Sequence, residues 1–333
     1  MTTDNAPQGH QSAEAIIADA AASGGPKFSN PAWTAKGEPR ARVAFQGTQT
    51  LWFNTGTLCN IACVGCYIES SPSNDRLSYL TLADVALFLD ALAARGEVEA
   101  EIGFTGGEPF LNPQCCALMA EALRRGHRVL VLTNAMRPMM RPGVQRELAA
   151  LITQYGERLT IRVSLDHPDA GLHDLERGAG AFDEAAAGLD WLAGLGARLA
   201  IAGRLWGDDE ASLRLRFGAL FEVRGWPVEA CDPAQLVLFP EMTMSADPPE
   251  ISTACWGILG KDPGEVMCAS SRMVVKRAGA AAPVVLACTL IAYDERFELG
   301  ATLDQADRSV ALNHPHCATF CVLGGASCSA KTA

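Results

Sequence analysis

The sequence predicts an α/β fold built on a parallel sheet, and three observations predict it. Six short β-like runs, TLWFN (50–54), VEAEIGF (98–104), RVLVLTN (128–134), LTIRVSLD (159–166), ARLAIAGRL (197–205) and QLVLFP (235–240), are rich in β-branched and other apolar residues. Amphipathic stretches separate them, long enough to cross from one parallel strand to the next. The alternation stops after Pro240. Strands joined by helical crossovers give a parallel sheet with right-handed connections. A flat doubly wound sheet and a curved partial barrel satisfy this pattern equally.

Taken in chain order, residues 1–47 form an N-terminal arm, rich in Ala, Gly, Pro and Ser, expected to be partly disordered with one short helix at 13–22. The alternating region covers 48–240. In its first helix Leu82, Val85, Leu89 and Leu92 repeat on one face, with Thr81 as N-cap and Gly96 as stop. Asn112 and Pro113 open the second as N-cap and first-turn proline, and Gly126 closes it. Further helices are expected at 142–156, 180–194 and 209–223. Residues 241–333 are a linker and a cysteine-rich unit: PEMTMSADPPE reads as the linker, two strands follow at 272–276 and 283–287, and the tail is loop-like. No internal repeat is present.

The composition, 49% hydrophobic and 20% charged over 333 residues, suits one large domain with a smaller appendage. A net charge of -11 argues against a general nucleic-acid or anionic-membrane surface, since both need clustered Lys and Arg. No apolar run approaches the roughly 18 residues of a membrane span. The N-terminus lacks the basic and apolar regions of a secretory signal, so a cytoplasmic protein is expected. In that compartment twelve cysteines are reduced, and closely spaced ones are metal ligands or redox groups rather than disulfides. Two groups stand out: Cys59, Cys63 and Cys66, and then Cys268, Cys288, Cys317, Cys321 and Cys328. Cys115 and Cys116, inside a helix, read as core residues. Cys231 and Cys255 read as buried or idle thiols, with hydrogen-atom donation or metal ligation as the alternative.

In TGTLCNIACVGCYIES the first three cysteines share one short loop. Three thiolates so spaced can ligate three irons of a cubic four-iron cluster and leave the fourth open. Zinc competes, but a structural zinc site normally takes four protein ligands and pairs of C-x2-C. Three further motifs fall at the C-terminal ends of predicted strands, where α/β and barrel active sites gather. TGGEP (105–109) follows the second strand; Gly106 and Gly107 allow close approach of the chain to a ligand, and Glu108 can accept a charge-assisted hydrogen bond. LTNA ends the third strand at Asn134, and VSLDHP (163–168) ends the fourth.

Together these residues resemble the radical S-adenosylmethionine (SAM) superfamily, whose signature is a C-x3-C-x2-C loop after the first strand. The resemblance implies a partial (β/α)6 TIM-type barrel, a 4Fe-4S cluster on Cys59, Cys63 and Cys66, and SAM bound at the open iron. It implies SAM contacts from Tyr67, Thr105, Gly106, Gly107, Glu108 and Asn134, and from Ser164 and Asp166 toward the ribose and carboxylate. Arg204 on the fifth strand is a partner for the SAM carboxylate or a buried structural arginine. One departure is clear: the position before the third cysteine, usually an aromatic that packs near the adenine, is Gly65, and Tyr67 follows the cysteine instead. His167 replaces a usual glycine, as a cavity residue or a solvent-facing turn. In LHDLERGAGAF (172–182), similar to an H-D-x-x-R-G stretch of peptide-modifying members, His173, Asp174 and Arg177 read as structural.

The later cysteines resemble the auxiliary-cluster modules called SPASM and twitch, in which a hairpin follows the first cysteine and a loop-rich tail supplies other ligands. FELGATL (297–303) resembles the glycine-containing stretch between hairpin and tail. The C-x2-C-x5-C-x3-C run of a full SPASM module is absent, which favours one auxiliary 4Fe-4S cluster on four of the five cysteines, or on three with an open site. Zinc stays as an alternative, and His314 and His316 as further ligands or as supporting residues. The activity implied is reductive SAM cleavage and hydrogen-atom abstraction from a peptide or protein. A dehydrogenase or rearrangement enzyme for a small metabolite is the alternative, since the arm is too short for the folded leader-peptide-binding domain of many peptide-modifying members. A non-catalytic iron–sulfur or zinc protein is the third reading. The implied partner is a low-potential electron donor such as flavodoxin or ferredoxin.

Overall fold

The computed structural model describes residues 25–240 and 247–325. All six expected strands form: β1 (Thr50–Asn54), β2 (Glu101–Thr105), β3 (Val129–Thr133), β4 (Leu159–Ser164), β5 (Arg198–Arg204) and β6 (Leu236–Phe239). They are parallel and pair in chain order. That order lacks the reversal of a doubly wound sheet. With right-handed crossovers it carries its helices on one face and winds in the sense of a barrel. The two strands expected near the C-terminus also form, as β7 (Ser271–Val275) and β8 (Val284–Leu286), and a short β9 (Glu298–Gly300) follows. β7 pairs parallel with β1, while β8 and β9 continue antiparallel, so the hairpin extends the same sheet to nine strands. Among the described residues its edges, β6 and β9, do not pair with each other, and no closed barrel forms.

Burial explains why the strands read as apolar runs. Every residue of β1 is buried, and Phe53 within it stacks on Phe104 at 5.7 Å and meets the edge of Phe88 at 6.2 Å. A parallel strand covered on both faces needs apolar residues at successive positions, not at alternate ones.

The helices among these strands are α1 (Leu82–Ala94), α2 (Cys115–Arg124), α3 (Pro142–Tyr155), α4 (Ala170–Arg177), α5 (Ala181–Gly194) and α6 (Glu210–Arg224), and two short ones, Cys255–Leu259 and Leu303–Ala306, follow. Thr81 caps α1 as expected: its hydroxyl accepts the Asp84 N–H at 3.2 Å, and the Asp84 carboxylate accepts the Thr81 N–H at 2.9 Å. The start of α2 corrects the expectation. Gln114, not Asn112, is its N-cap; the buried Asn112 side chain accepts the Gln114 N–H at 2.9 Å and donates to the carbonyls of Leu80 at 2.9 Å and Thr55 at 3.3 Å. Asn112 therefore ties α1 and the β1 loop to α2. Nothing in the sequence pattern announced α4, whose Asp169 cap accepts the Leu172 N–H at 3.1 Å.

Over its described part the N-terminal arm is packed. Buried Arg40 pairs with Glu250 at 2.5 Å and donates to the Leu312 carbonyl at 3.1 Å, and Arg42–Val43 pairs with Val310–Ala311. The helix expected at 13–22 and linker residues 241–246 lie outside the described residues. Among the described residues no helix is long and apolar enough to cross a membrane.

Candidate functional site

The C-terminal ends of β1 to β6 open into one cavity of about 1210 Å3, its mouth included. Cys59, Cys63 and Cys66 line it together, with six residues of chain between the first and the third. So do Tyr67, Thr105, Gly106, Gly107, Asn134, Ser164, Asp166 and Arg204, which the sequence singled out. The loop lies against the TGGEP turn: Gly107 and Glu108 donate their N–H groups to the carbonyls of Gly56 at 2.8 Å and Leu58 at 3.1 Å. Side chains cannot be accommodated there. Gly106 has φ +143°, and a Cβ on it would stand 2.5 Å from the Gly56 carbonyl, while one on Gly107 would run into the Leu58 carbonyl.

Glu108 sits differently from the rest. Its side chain is buried beneath the turn and outside the cavity lining, accepting from the Thr133 hydroxyl at 2.8 Å and from the N–H groups of Asn134 at 2.9 Å and Phe110 at 3.1 Å. Burial pushes its carboxyl up to about 7, against these three bonds. It thereby pins the end of β3, where the Asn134 amide donates to Asn60 Oδ1 of the cysteine loop at 2.9 Å.

Three charged wall residues escaped the sequence or were read from it as structural. Arg162 stands two residues before Ser164 on β4, so the two share the face that lines the cavity. Arg177 makes a two-pronged ion pair with Asp166, at 2.5 and 3.1 Å. Burial works to raise the Asp166 carboxyl, and Arg177 outweighs it, so its pKa is lowered. Glu176 pairs with Arg204 at 2.6 Å. The signal for two of these was present in the quoted HDLERG stretch, but not their direction. His173 is structural, as expected: its Nδ1 accepts the Asp166 N–H at 3.1 Å. His167 is neither a cavity residue nor solvent-facing. It is fully buried, with Nδ1 accepting the Asp169 N–H at 2.9 Å and Nε2 3.3 Å from Asp208.

A second, smaller cavity of about 340 Å3 is ringed by Cys268, Cys288, Cys317 and Cys321, with His316 beside them. These cysteines come from the turn before β7, the end of β8 and the π-helix Cys317–Leu323. Cys328 lies outside the described residues. His314 stays off this lining and packs its ring 4.7 Å from that of His316. The two cavities share a wall. Leu290 and Phe320 face the first, while Cys288 and Cys321, two residues and one residue away, face the second. Cys115 and Cys116 are core residues, as expected, and Cys231 and Cys255 line neither cavity.

Among the described residues no three His, Cys, Asp or Glu side chains are disposed to hold a single metal ion. The three loop cysteines line the main cavity and the other four described cysteines of the C-terminal group line the smaller one. Burial pushes the Cys59 thiol up to about 12 and that of Cys63 to about 11. Both are protonated at neutral pH without a metal, so metal loading there releases protons.

Residues 53–207 match the Radical SAM superfamily. Among curated relatives, AlbA, the antilisterial bacteriocin subtilosin biosynthesis protein of Bacillus subtilis (strain 168), is 32% identical over 120 residues, 36% of this chain and 25% of the relative. The mycofactocin maturase MftC of Mycobacterium ulcerans (strain Agy99) is 32% identical over 176 residues, 50% of this chain and 44% of the relative. The chain thus spans less than half the length of these relatives. Among solved structures, anSMEcpe with bound AdoMet superposes with a TM-score of 0.54 at 13% identity, over 77% of this chain and 79% of that one. This likeness shows the shared fold.

Proposed function

We propose that this protein, whose residues 53–207 match the Radical SAM superfamily, is a maturase that, with an iron–sulfur cluster and SAM bound, generates a 5'-deoxyadenosyl radical and removes a hydrogen atom from a peptide or protein. The observation that carries this reading is the convergence of Cys59, Cys63 and Cys66 on the cavity lined by Gly106, Gly107, Asn134 and Ser164. The donor set fits the cofactors. Among the described residues three thiols and no fourth cysteine face this space, which leaves one iron for SAM. Bare backbone at Gly106 and Gly107, beside Thr105, offers the close approach that the SAM ammonium needs, and Asn134, Ser164, Asp166 and Arg204 surround the remaining polar groups. Tyr67 adds backbone contacts beside the third cysteine.

Cys268, Cys288, Cys317 and Cys321 are the proposed ligands of one auxiliary 4Fe-4S cluster, in the SPASM or twitch manner, with Cys328 a further candidate. Its wall is shared with the main cavity, which suits exchange of an electron with a substrate radical formed there. The apolar side of the main cavity, Phe239, Leu290 and Phe320, excludes water from such a radical. The names of AlbA and MftC favour a peptide or protein over a metabolite as substrate. A low-potential flavodoxin or ferredoxin is the proposed electron source.

The test is anaerobic reconstitution with iron and sulfide, followed by dithionite and SAM. The reading predicts 5'-deoxyadenosine, and a mass change in a peptide encoded beside the gene. Intact clusters without any 5'-deoxyadenosine would refute it.

A further inference from the structure

We propose that the Glu176–Arg204 ion pair is a clamp that positions the Cys63–Cys66 span of the loop, occupying the volume that the absent side chain of residue 65 leaves open. This inference rests on the reading of that loop as a cluster site. Between Cys63 and Cys66 the chain has little of its own to hold it: Val64 is 83% exposed, and Gly65 has no side chain. Both peptide N–H groups are instead taken by one residue of α4. The Glu176 carbonyl accepts from Val64 at 3.0 Å, and Glu176 Oε1 accepts from Gly65 at 2.5 Å.

The same Oε1 pairs with Arg204 Nη1 at 2.6 Å, and the two side chains are only 8% and 18% exposed. A Cβ on residue 65 would stand 2.6 Å from Glu176 Oε1 and 2.7 Å from Arg204 Nη1. A side chain at residue 65 would therefore push these two side-chain ends out of the pair's present geometry. Arg204 is fixed from behind, since its N–H donates to the Asp166 carbonyl at 2.9 Å and its guanidinium lies 5.5 Å from the Trp206 ring. Arg177, next to Glu176, holds the Asp166 carboxylate. Two successive residues of α4 thus brace the loop against the ends of β4 and β5. Glu176 is a positioning residue: it acts through the backbone between two sulfurs.

Iron-free protein reports on the clamp without turnover. Wild type, E176Q, E176A, G65A and the double variant G65A/E176A are treated with iodoacetamide, and alkylation of Cys63, Cys66 and Cys268 is followed by peptide mass spectrometry. The same preparations are then reconstituted and their iron measured. In E176A, Cys63 and Cys66 should react at least about fivefold faster relative to Cys268, with less iron retained, as expected for a lost charged hydrogen bond. E176Q keeps an oxygen acceptor for Gly65 but loses the charge that holds Arg204, so it should fall between wild type and E176A. G65A should be harmful alone and add little to E176A, a coupling that independent defects do not give. Wild-type rates in E176A, an equal rise at Cys268, or simple additivity of G65A and E176A would overturn the clamp. Failure of wild type to take up iron on this loop would instead overturn the cluster reading, and the alkylation result would still decide the clamp.

Discussion

Replacing Arg177 with Met strands a buried carboxylate, and the structure sets the size of the effect. Arg177 grips both oxygens of Asp166, and the side chains are 14% and 5% exposed. Removing one member of such a pair leaves a charge uncompensated in the interior, at a cost of about 3–5 kcal/mol. For a protein of this size that lowers Tm by roughly 4–7 °C. The companion change Asp166→Asn removes the stranded charge, so R177M/D166N should be more stable than R177M alone. Their coupling should reach at least about 2 kcal/mol. Urea unfolding of the iron-free protein, followed by circular dichroism, measures each corner of the cycle. If R177M unfolds within about 0.5 kcal/mol of wild type, or the two changes add independently, the pair does not hold the end of β4 to α4 as described.

Three further outcomes are expected. Burial first, and then the nearby Arg177 and His316 respectively, push His173 and His314 down to about 4 from 6.5. The unfolded chain therefore takes up these protons below pH 6.5 while the folded one does not, so stability is full above pH 6.5 and lost as pH falls toward 4. Urea midpoints measured from pH 7.5 to 4.5 should fall (about two protons), and H173Q should flatten part of the slope; a flat or rising profile would contradict the burial of these rings. Gly107→Ala places a methyl against the Leu58 carbonyl and should weaken SAM binding at least tenfold, roughly 1.4 kcal/mol, as read by equilibrium dialysis on reconstituted protein; unchanged affinity would mean that the turn does not approach the ligand. Cys288→Ala should lower bound iron by about half after reconstitution, whereas C115A/C116A should leave it unchanged; equal losses would place Cys115 and Cys116 among the ligands.

The parts of this architecture that rest on local chemistry were legible in the sequence. Strands covered on both faces announce themselves as apolar runs, Thr81 and Asp84 carry their capping box within four residues, and glycines after strands mark where backbone must approach closely. The two cysteine groups were visible from spacing alone. What the sequence withheld depends on which strand ends lie side by side. Asp166 meets Arg177 eleven residues on, and Glu176 meets Arg204 from the next strand, so neither pairing has a local signal. The short α4 lacks a broad apolar face, since its contribution is two ion pairs and an inward histidine. Glu108 shows the same limit. Its place after Gly107 suggested a ligand-facing carboxylate, but three donors draw it beneath the turn. Asn112 likewise ties two carbonyls of neighbouring segments to the start of α2, two residues ahead of its N-cap Gln114.

The central claim is that three thiolates on one loop hold a cluster with a vacant corner for SAM. Electron paramagnetic resonance of a variant lacking the second group, with Cys268, Cys288, Cys317, Cys321 and Cys328 all changed to Ala, isolates that site. After reconstitution and reduction, the account predicts a single four-iron signal whose g-values move on adding SAM, and which vanishes when Cys59, Cys63 and Cys66 are also replaced. A signal indifferent to SAM, or one that survives loss of the three loop cysteines, would contradict it.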